Sequence, residues 1–251
     1  MKALPRLLLI GAVLAALAGS VAAAPVPAPR IFMAGDSTMA NKPLDLTERG
    51  WGMALGAFFV EAVTVDNRAM NGRSSKSFID EGRWAKLVAD LRAGDFVVIQ
   101  FSHNDEKKED PKRYTDPATT FRDNLRRFIA ETKAKGATPI LATPVCRRKF
   151  DSAGKLVATH GDYPDAARAV AKEEKIALLD LERATARWLQ AAGDEPSRKF
   201  FMWIEAGKHP KIPDGRKDDT HFVEAGARTV AELAVAEMRA QSLPLARWLR
   251  P

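Results

Sequence analysis

The chain has 251 residues, 46% of them hydrophobic and 28% charged, with a formal net charge of +7. This composition excludes a disordered or low-complexity chain and fits one α/β domain large enough to bury a core without staples. Cys146 is the only cysteine, which excludes an internal disulfide, and no His-Glu-x-x-His or paired Cys-x-x-Cys pattern offers a zinc site.

In chain order, Lys2 and Arg6 open a basic start, residues 7–18 form an apolar run of twelve, and small residues follow from Gly19 to Ala24. This is the layout of a secretory signal peptide over residues 1–23, and export to the periplasm or the exterior is expected. The run is short for a membrane span, so an uncleaved anchor is the weaker reading, and no stable membrane association is expected after cleavage. Removal of Lys2 and Arg6 lowers the net charge by two. The alternating prolines of residues 24–30 block helix and read as an extended linker, leaving residues 31–251 as the folded domain.

The domain alternates short apolar runs with amphipathic stretches. Strands are expected at 31–34, 62–65, 96–101, 138–143 and 176–179, and helices at 51–59, 81–91, 121–135, 164–174, 181–192 and 224–239. Phe121, Leu125, Phe128, Ile129 and Thr132 recur at helical spacing before Gly136 stops the pattern, and Pro164 suits a helix start. Residues 199–214 are less regular. Nearly continuous apolar strands alternating with helices predict a five-stranded parallel sheet covered on both faces, a doubly wound α/β fold. Cys146 falls at a strand end, where packing is the expected role.

Ligands of such folds sit beyond the carboxyl ends of the strands. The polar motifs fall there: Gly35-Asp36-Ser37-Thr38 after the first apolar run, Asn71-Gly72-Arg73-Ser74-Ser75 after the second, His103-Asn104-Asp105 after the third, and Asp218-Asp219-Thr220-His221 before the last helix. Each has an ordinary structural explanation when taken singly: a turn for Gly-Asp-Ser, a cap for Asn104, a solvated loop for Asp218. Their joint placement points to a site.

The sequence resembles the SGNH hydrolases, named for blocks carrying Ser, Gly, Asn and His, and within them the rhamnogalacturonan acetylesterases. Matching stretches are Gly35 to Ala40, Gly72 to Ser75, His103 to Asp105, Thr143-Pro144-Val145, His160 to Pro164 and Asp218 to His221. The resemblance covers residues 31–239. It implies a three-layer α/β/α sandwich of flavodoxin-like order and a serine esterase needing no cofactor or metal. Ser37 is then the nucleophile, His221 its base and Asp218 the orienting carboxylate, with Asp219 as rival. The oxyanion hole comes from the N–H groups of Ser37 and Gly72 and the Asn104 amide. Ser102 departs from the glycine usual before the His-Asn-Asp block, adding a hydroxyl near the oxyanion region.

These residue types suit the chemistry. A serine hydroxyl is a weak nucleophile until a base takes its proton, and an imidazole both accepts that proton and returns it to the leaving alcohol. Glycine lets a backbone donor approach the substrate, and an amide donates without charge. Candidate substrate contacts are Arg73, which would pair with a galacturonate carboxylate unless a salt bridge occupies it, and His103, His160 and Tyr163, for each of which packing is the competing role. Trp203 is a further candidate wall of a sugar cleft, whereas Trp51 and Trp84 fit the core and His209 the surface.

The expected partner is an acetylated polysaccharide or oligosaccharide, and anionic pectin suits a basic protein. Acetylxylan esterase and lipase- or thioesterase-like activities are the alternatives, although no apolar loop offers a long-acyl groove. A non-catalytic glycan-binding protein would have lost Ser37, Asn104 or His221. Nucleic acid is disfavoured because the positive charge is spread rather than clustered with aromatics.

Overall fold

The computed structural model of the protein describes residues 27–251. The signal-peptide reading of residues 1–23 lies outside them. Within the expected linker, residues 27–29 carry no regular structure, and the first strand begins at Arg30.

Five parallel strands form the main sheet: β1 (Arg30–Gly35), β2 (Thr64–Asn67), β3 (Phe96–Gln100), β4 (Thr138–Ala142) and β5 (Ala177–Leu179). Their order is β2-β1-β3-β4-β5, the flavodoxin-like arrangement. The second strand lies two residues later than expected. Side-chain alternation splits the core into two layers. Ile31, Met33, Phe96, Val98, Ile140 and Ala142 face one side, and Phe32, Ala34, Val97, Ile99 and Leu141 the other. A strand buried on both faces has no polar side to show, which is why the sequence reads as continuous apolar runs.

The first layer is covered by α1 (Trp51–Leu55), α6 (Leu181–Ala192) and α8 (Glu224–Ala240). The second is covered by α2 (Ser75–Asp80), α3 (Arg83–Asp90), α4 (Thr120–Ala134) and α5 (Tyr163–Glu173). The helix expected at 81–91 forms as α3, and α2, which ends two residues before Gly82, is a separate helix ahead of it that the sequence did not announce. The earlier one starts with a reciprocal cap: Ser77 N–H donates to Ser74 Oγ at 3.1 Å, and Ser74 N–H donates to Ser77 Oγ at 2.9 Å. The helix expected at 51–59 tightens into a 3₁₀ turn from Gly56 to Phe58. Trp84 and Phe128 pack with ring centroids 4.5 Å apart, and Trp51 and Trp84 are fully buried as expected.

A further feature was not expected. After the short α7 (Asp194–Ser197), β6 (Phe201–Ile204) and β7 (Arg216–Phe222) form a separate antiparallel pair. Phe201 and Phe222 bury their rings in the first layer, 5.0 Å apart. Arg49 N–H donates to Phe222 O at 2.8 Å, tying the pair to the segment that enters α1.

That entry segment is tightly fitted. A Cβ at Gly50 would lie 2.1 Å from Ala40 O and 2.5 Å from the Met39 carbonyl carbon, both backbone atoms of the turn after β1. Gly50→Ala should therefore cost about 1–3 kcal/mol and lower the melting temperature by several degrees, because backbone rather than a flexible side chain must yield. A calorimetric scan of the variant beside the parent checks this, and an unchanged melting temperature would show that the turn relaxes freely.

Candidate active site

β1 pairs with both β2 and β3, so the strand order reverses direction around β1 and opens a crevice at the carboxyl ends of these three strands. Three loops meet there. The turn after β1 carries Ser37, the turn after β2 carries Gly72, and the loop after β3 carries Asn104. The β6–β7 pair supplies Asp218 and His221 from outside the main sheet.

The Ser37 turn is built from beneath. Met39 and Ala40 N–H groups donate to Asp36 O at 3.2 and 3.0 Å, and Asp36 Oδ1 accepts from Thr38 N–H and Oγ1 at 2.9 and 2.8 Å. Gln100, buried at the end of β3, donates to Thr38 Oγ1 at 3.0 Å and accepts from Trp51 Nε1 at 2.7 Å. Asp36 is wholly buried. Its Oδ2 lies 3.2 Å from His103 Nδ1, close enough for charge attraction but not aligned as a hydrogen bond. Burial alone would raise the Asp36 carboxyl, but His103 and the Thr38 donors bring it down to about 2.

Above this support, Ser37 Oγ lies 2.9 Å from His221 Nε2, and His221 Nδ1 lies 2.8 Å from Asp218 Oδ2. Asp218 Oδ1 accepts from the backbone N–H groups of Thr220 and His221 at 2.8 and 3.0 Å. Burial pushes the Asp218 carboxyl up, but the hydrogen bond and charge of His221 and these N–H donors hold it well below the usual carboxylate range. Asp219 points elsewhere: its Oδ1 accepts from Arg148 Nε at 2.7 Å and Trp203 Nε1 at 2.8 Å. Trp203, packed against the guanidiniums of Arg148 and Arg198, belongs to that cluster rather than to the Ser37 crevice.

The N–H groups of Ser37 and Gly72 have no acceptor among the described residues, whereas their neighbours Thr38 and Arg73 do. Gly72 holds φ at +74°, a conformation that costs other L-residues energy. Asn104 is oriented from two sides, with Nδ2 donating to Arg73 O at 3.1 Å and Oδ1 3.5 Å from Arg113 Nη1. One amide hydrogen remains to face the crevice. Ser37, Gly72, Asn104 and His221 line a cavity of about 270 Å³ whose rim is otherwise polar. A larger cavity, about 560 Å³, lies around Cys146 and Leu156 and holds none of these groups.

The four candidate substrate contacts all have partners within the protein, the competing role the sequence left open for each. Arg73 donates through Nε to Glu81 at 3.0 Å and through Nη1 to Asn71 O at 2.8 Å, so a salt bridge holds it. His103 is buried against Asp36 and stacks edge-on against His160, with ring centroids 4.5 Å apart. His160 is buried, with Nδ1 2.5 Å from Glu106 Oε1 and Nε2 2.9 Å from Val145 O. Tyr163 is buried and shares its hydroxyl proton between Asp105 O and Thr115 O. These three side chains support the loop after β3 from below. Ser102 joins them: its hydroxyl donates to Glu106 at 2.6 Å. Cys146 is buried as expected of a packing residue, and burial pushes its thiol up to about 11. Among the described residues no group of three or more His, Cys, Asp or Glu could hold a metal ion.

Sequence reasoning missed two parts of the site. Gln100 carried a signal, a lone amide inside an apolar strand. The β7 strand carried none, since Arg-Lys-Asp-Asp-Thr-His has no apolar alternation and Asp is depleted in strands.

A doubly wound sheet with a hydroxyl, an imidazole and a carboxylate aligned at its carboxyl edge has the layout of the SGNH hydrolases. Residues 33–229 match the GDSL-like Lipase/Acylhydrolase family, and the chain belongs to that family; it is an esterase. It is 41% identical over 217 residues to rhamnogalacturonan acetylesterase RhgT of Bacillus subtilis (strain 168), covering 86% of this chain and 92% of that one. It is 36% identical over 215 residues to the probable rhamnogalacturonan acetylesterase YesY of the same strain, covering 86% and 94%. The crystal structure of B. subtilis YxiM, 30% identical, matches 88% of this chain with a TM-score of 0.74, and this chain spans 58% of that one.

The half-buried Glu106 gives a pH test of the support beneath the site. Burial alone would raise its carboxyl, but the hydrogen bond and charge of His160, with Arg147 beside it, hold it at about 2 against an ordinary 4.5. A depressed acid stabilises the fold above its ordinary value, and that stability is lost as pH falls from 4.5 towards 2. Glu106→Gln should be less stable at neutral pH yet show a shallower fall in melting temperature across this window. Parallel melts at pH 7, 4.5 and 2.5 measure it, and an unchanged slope would assign the acid loss to other carboxyls.

Proposed function

We propose that the protein removes O-acetyl groups from pectic rhamnogalacturonan through an acyl-enzyme on Ser37. The observation that carries the mechanism is the unbroken line from Asp218 through His221 to Ser37, ending at unpaired N–H donors in one cavity. The carbohydrate substrate rests on the similarity to RhgT and YesY.

In this mechanism His221 Nε2 takes the proton of Ser37 as Oγ attacks the acetyl carbonyl. Asp218 keeps the second ring proton on Nδ1 and stabilises the imidazolium that forms. The new oxyanion lies among the Ser37 and Gly72 N–H groups and the free hydrogen of the Asn104 amide, donors fixed before the reaction starts. Collapse passes the proton from His221 to the departing sugar oxygen. Water then attacks the acetyl carbonyl as His221 takes its proton, the bond from the carbonyl to Ser37 Oγ breaks, and His221 returns the proton to Oγ as acetate leaves. A cavity of about 270 Å³ with a polar rim suits a short acyl group on a sugar better than a long chain, which needs an extended apolar groove.

Acetate release from acetylated rhamnogalacturonan, beside acetylated xylan, tests the reading. Release from the pectic polymer should exceed that from xylan and vanish in Ser37→Ala. Asn104→Ala should keep its fold and lose a hundredfold or more in turnover, on the order of 3 kcal/mol of barrier. Release from xylan alone would retain the esterase and replace the substrate, and full turnover in Asn104→Ala would remove that residue from the oxyanion hole.

Residues 1–23 support export of the mature enzyme, to the periplasm or beyond, where polysaccharide is met. Among the described residues no helix is long and apolar enough to cross a membrane. Amino-terminal sequencing of the protein recovered outside the cytoplasm should start at Ala23 or Ala24; an intact Met1 in that fraction would refute cleavage.

A further inference from the structure

The loop from Phe101 to Thr119 forms one wall of the Ser37 cavity and contributes Asn104, Lys107 and Arg113 to it. Most charges around the cavity are matched within the protein. Lys42 lies 2.6 Å and Arg216 3.0 Å from the two oxygens of Glu48, Arg216 also holds Asp218, and Arg113 Nε holds Asp110. Lys107 differs. It is half-buried at the cavity wall, and among the described residues its ammonium has neither an ion-pair partner nor a hydrogen-bond acceptor. The nearby Asp110 is engaged by Arg113 and by the N–H of Lys112, and it feels the Lys107 charge only from beyond ion-pair distance.

A cation partly withdrawn from water without a partner costs free energy, and an anion brought by the substrate removes that cost. Arg73, the residue the sequence suggested for such a contact, is held by Glu81. We propose that Lys107 is the carboxylate-reading residue of the cleft, pairing with a uronate of the glycan next to the acetylated position. This rests on the reading of the protein as an esterase of an acidic glycan and adds the side chain that selects acidity. An ammonium offers a point charge on a flexible stem, so it tolerates several positions of the uronate relative to the acetyl group.

The test compares acetylated rhamnogalacturonan with the same polymer after its galacturonate carboxyls are reduced to alcohols, reading kcat/KM for each. The parent enzyme should favour the acidic polymer, and added salt should erode the preference. Lys107→Met should lower the ratio of acidic to reduced substrate about tenfold, through KM, as expected for loss of one partly desolvated charged contact. Lys107→Arg should restore most of the ratio, because charge rather than shape is read. An equal loss on both polymers would make Lys107 a structural residue and overturn the inference. So would a parent enzyme that treats both polymers alike, which leaves the esterase reading intact. Failure to release acetate from either polymer, with 4-nitrophenyl acetate still hydrolysed, would overturn the substrate reading and this inference together.

Discussion

The site depends on one buried carboxylate. Asp36 folds the chain back immediately after β1, taking the N–H and hydroxyl of Thr38 on one oxygen and facing His103 with the other. Its main-chain carbonyl closes the same turn through Met39 and Ala40. Ser37 is lifted out of the packed layer because its neighbours on both sides are held down. Gln100 and Trp51 continue the support into β3 and α1, so the position of Ser37 is referenced to the sheet and to the first covering helix. A hydroxyl that must sit within a few tenths of an ångström of an imidazole needs this kind of anchoring.

The second anchoring is made under the loop after β3. Asp105 accepts from Ser75 N–H at 3.0 Å and from Thr115 Oγ1 at 2.9 Å, joining the start of α2 to the far end of the loop. Because α2 begins just after Gly72, this carboxyl couples Gly72 and Asn104, two of the proposed oxyanion donors, through short stretches of chain. Burial pushes it up to about 7. Histidines and a tyrosine that resemble substrate contacts in the sequence are the struts of this layer. Polar residues near a cleft are as often needed to hold its loops as to touch what enters it, since buried loop backbone requires partners.

The legible part of the chain was the part governed by periodic burial. Five apolar runs and the stripe from Phe121 to Thr132 disclosed the layers, because strands covered on both faces and helices covered on one leave distinct patterns. Ser37, Gly72 and Asn104 were legible because motifs at strand ends have a place to be. Asp218 was distinguishable from Asp219 only through the family pattern, and the strand carrying both is polar throughout, so it had no signature of its own. The partnering of Arg73 with Glu81 and the openness of Lys107 depend on where a helix and a loop meet in space. Spacing along the chain cannot report that.

The state of Cys146 has a consequence for how the molecule is made. Its Sγ is buried, donates to Glu182 O at 3.3 Å, and keeps its proton far above neutral pH. The thiolate is the reactive form, so burial and the retained proton disfavour oxidation of this sulfur and its bridging to a second copy in the folded protein. Folding consequently has no internal disulfide to form or reshuffle. With one cysteine in the chain, the folded domain has the same disulfide-free state in a reducing cytosol as in an oxidising exterior.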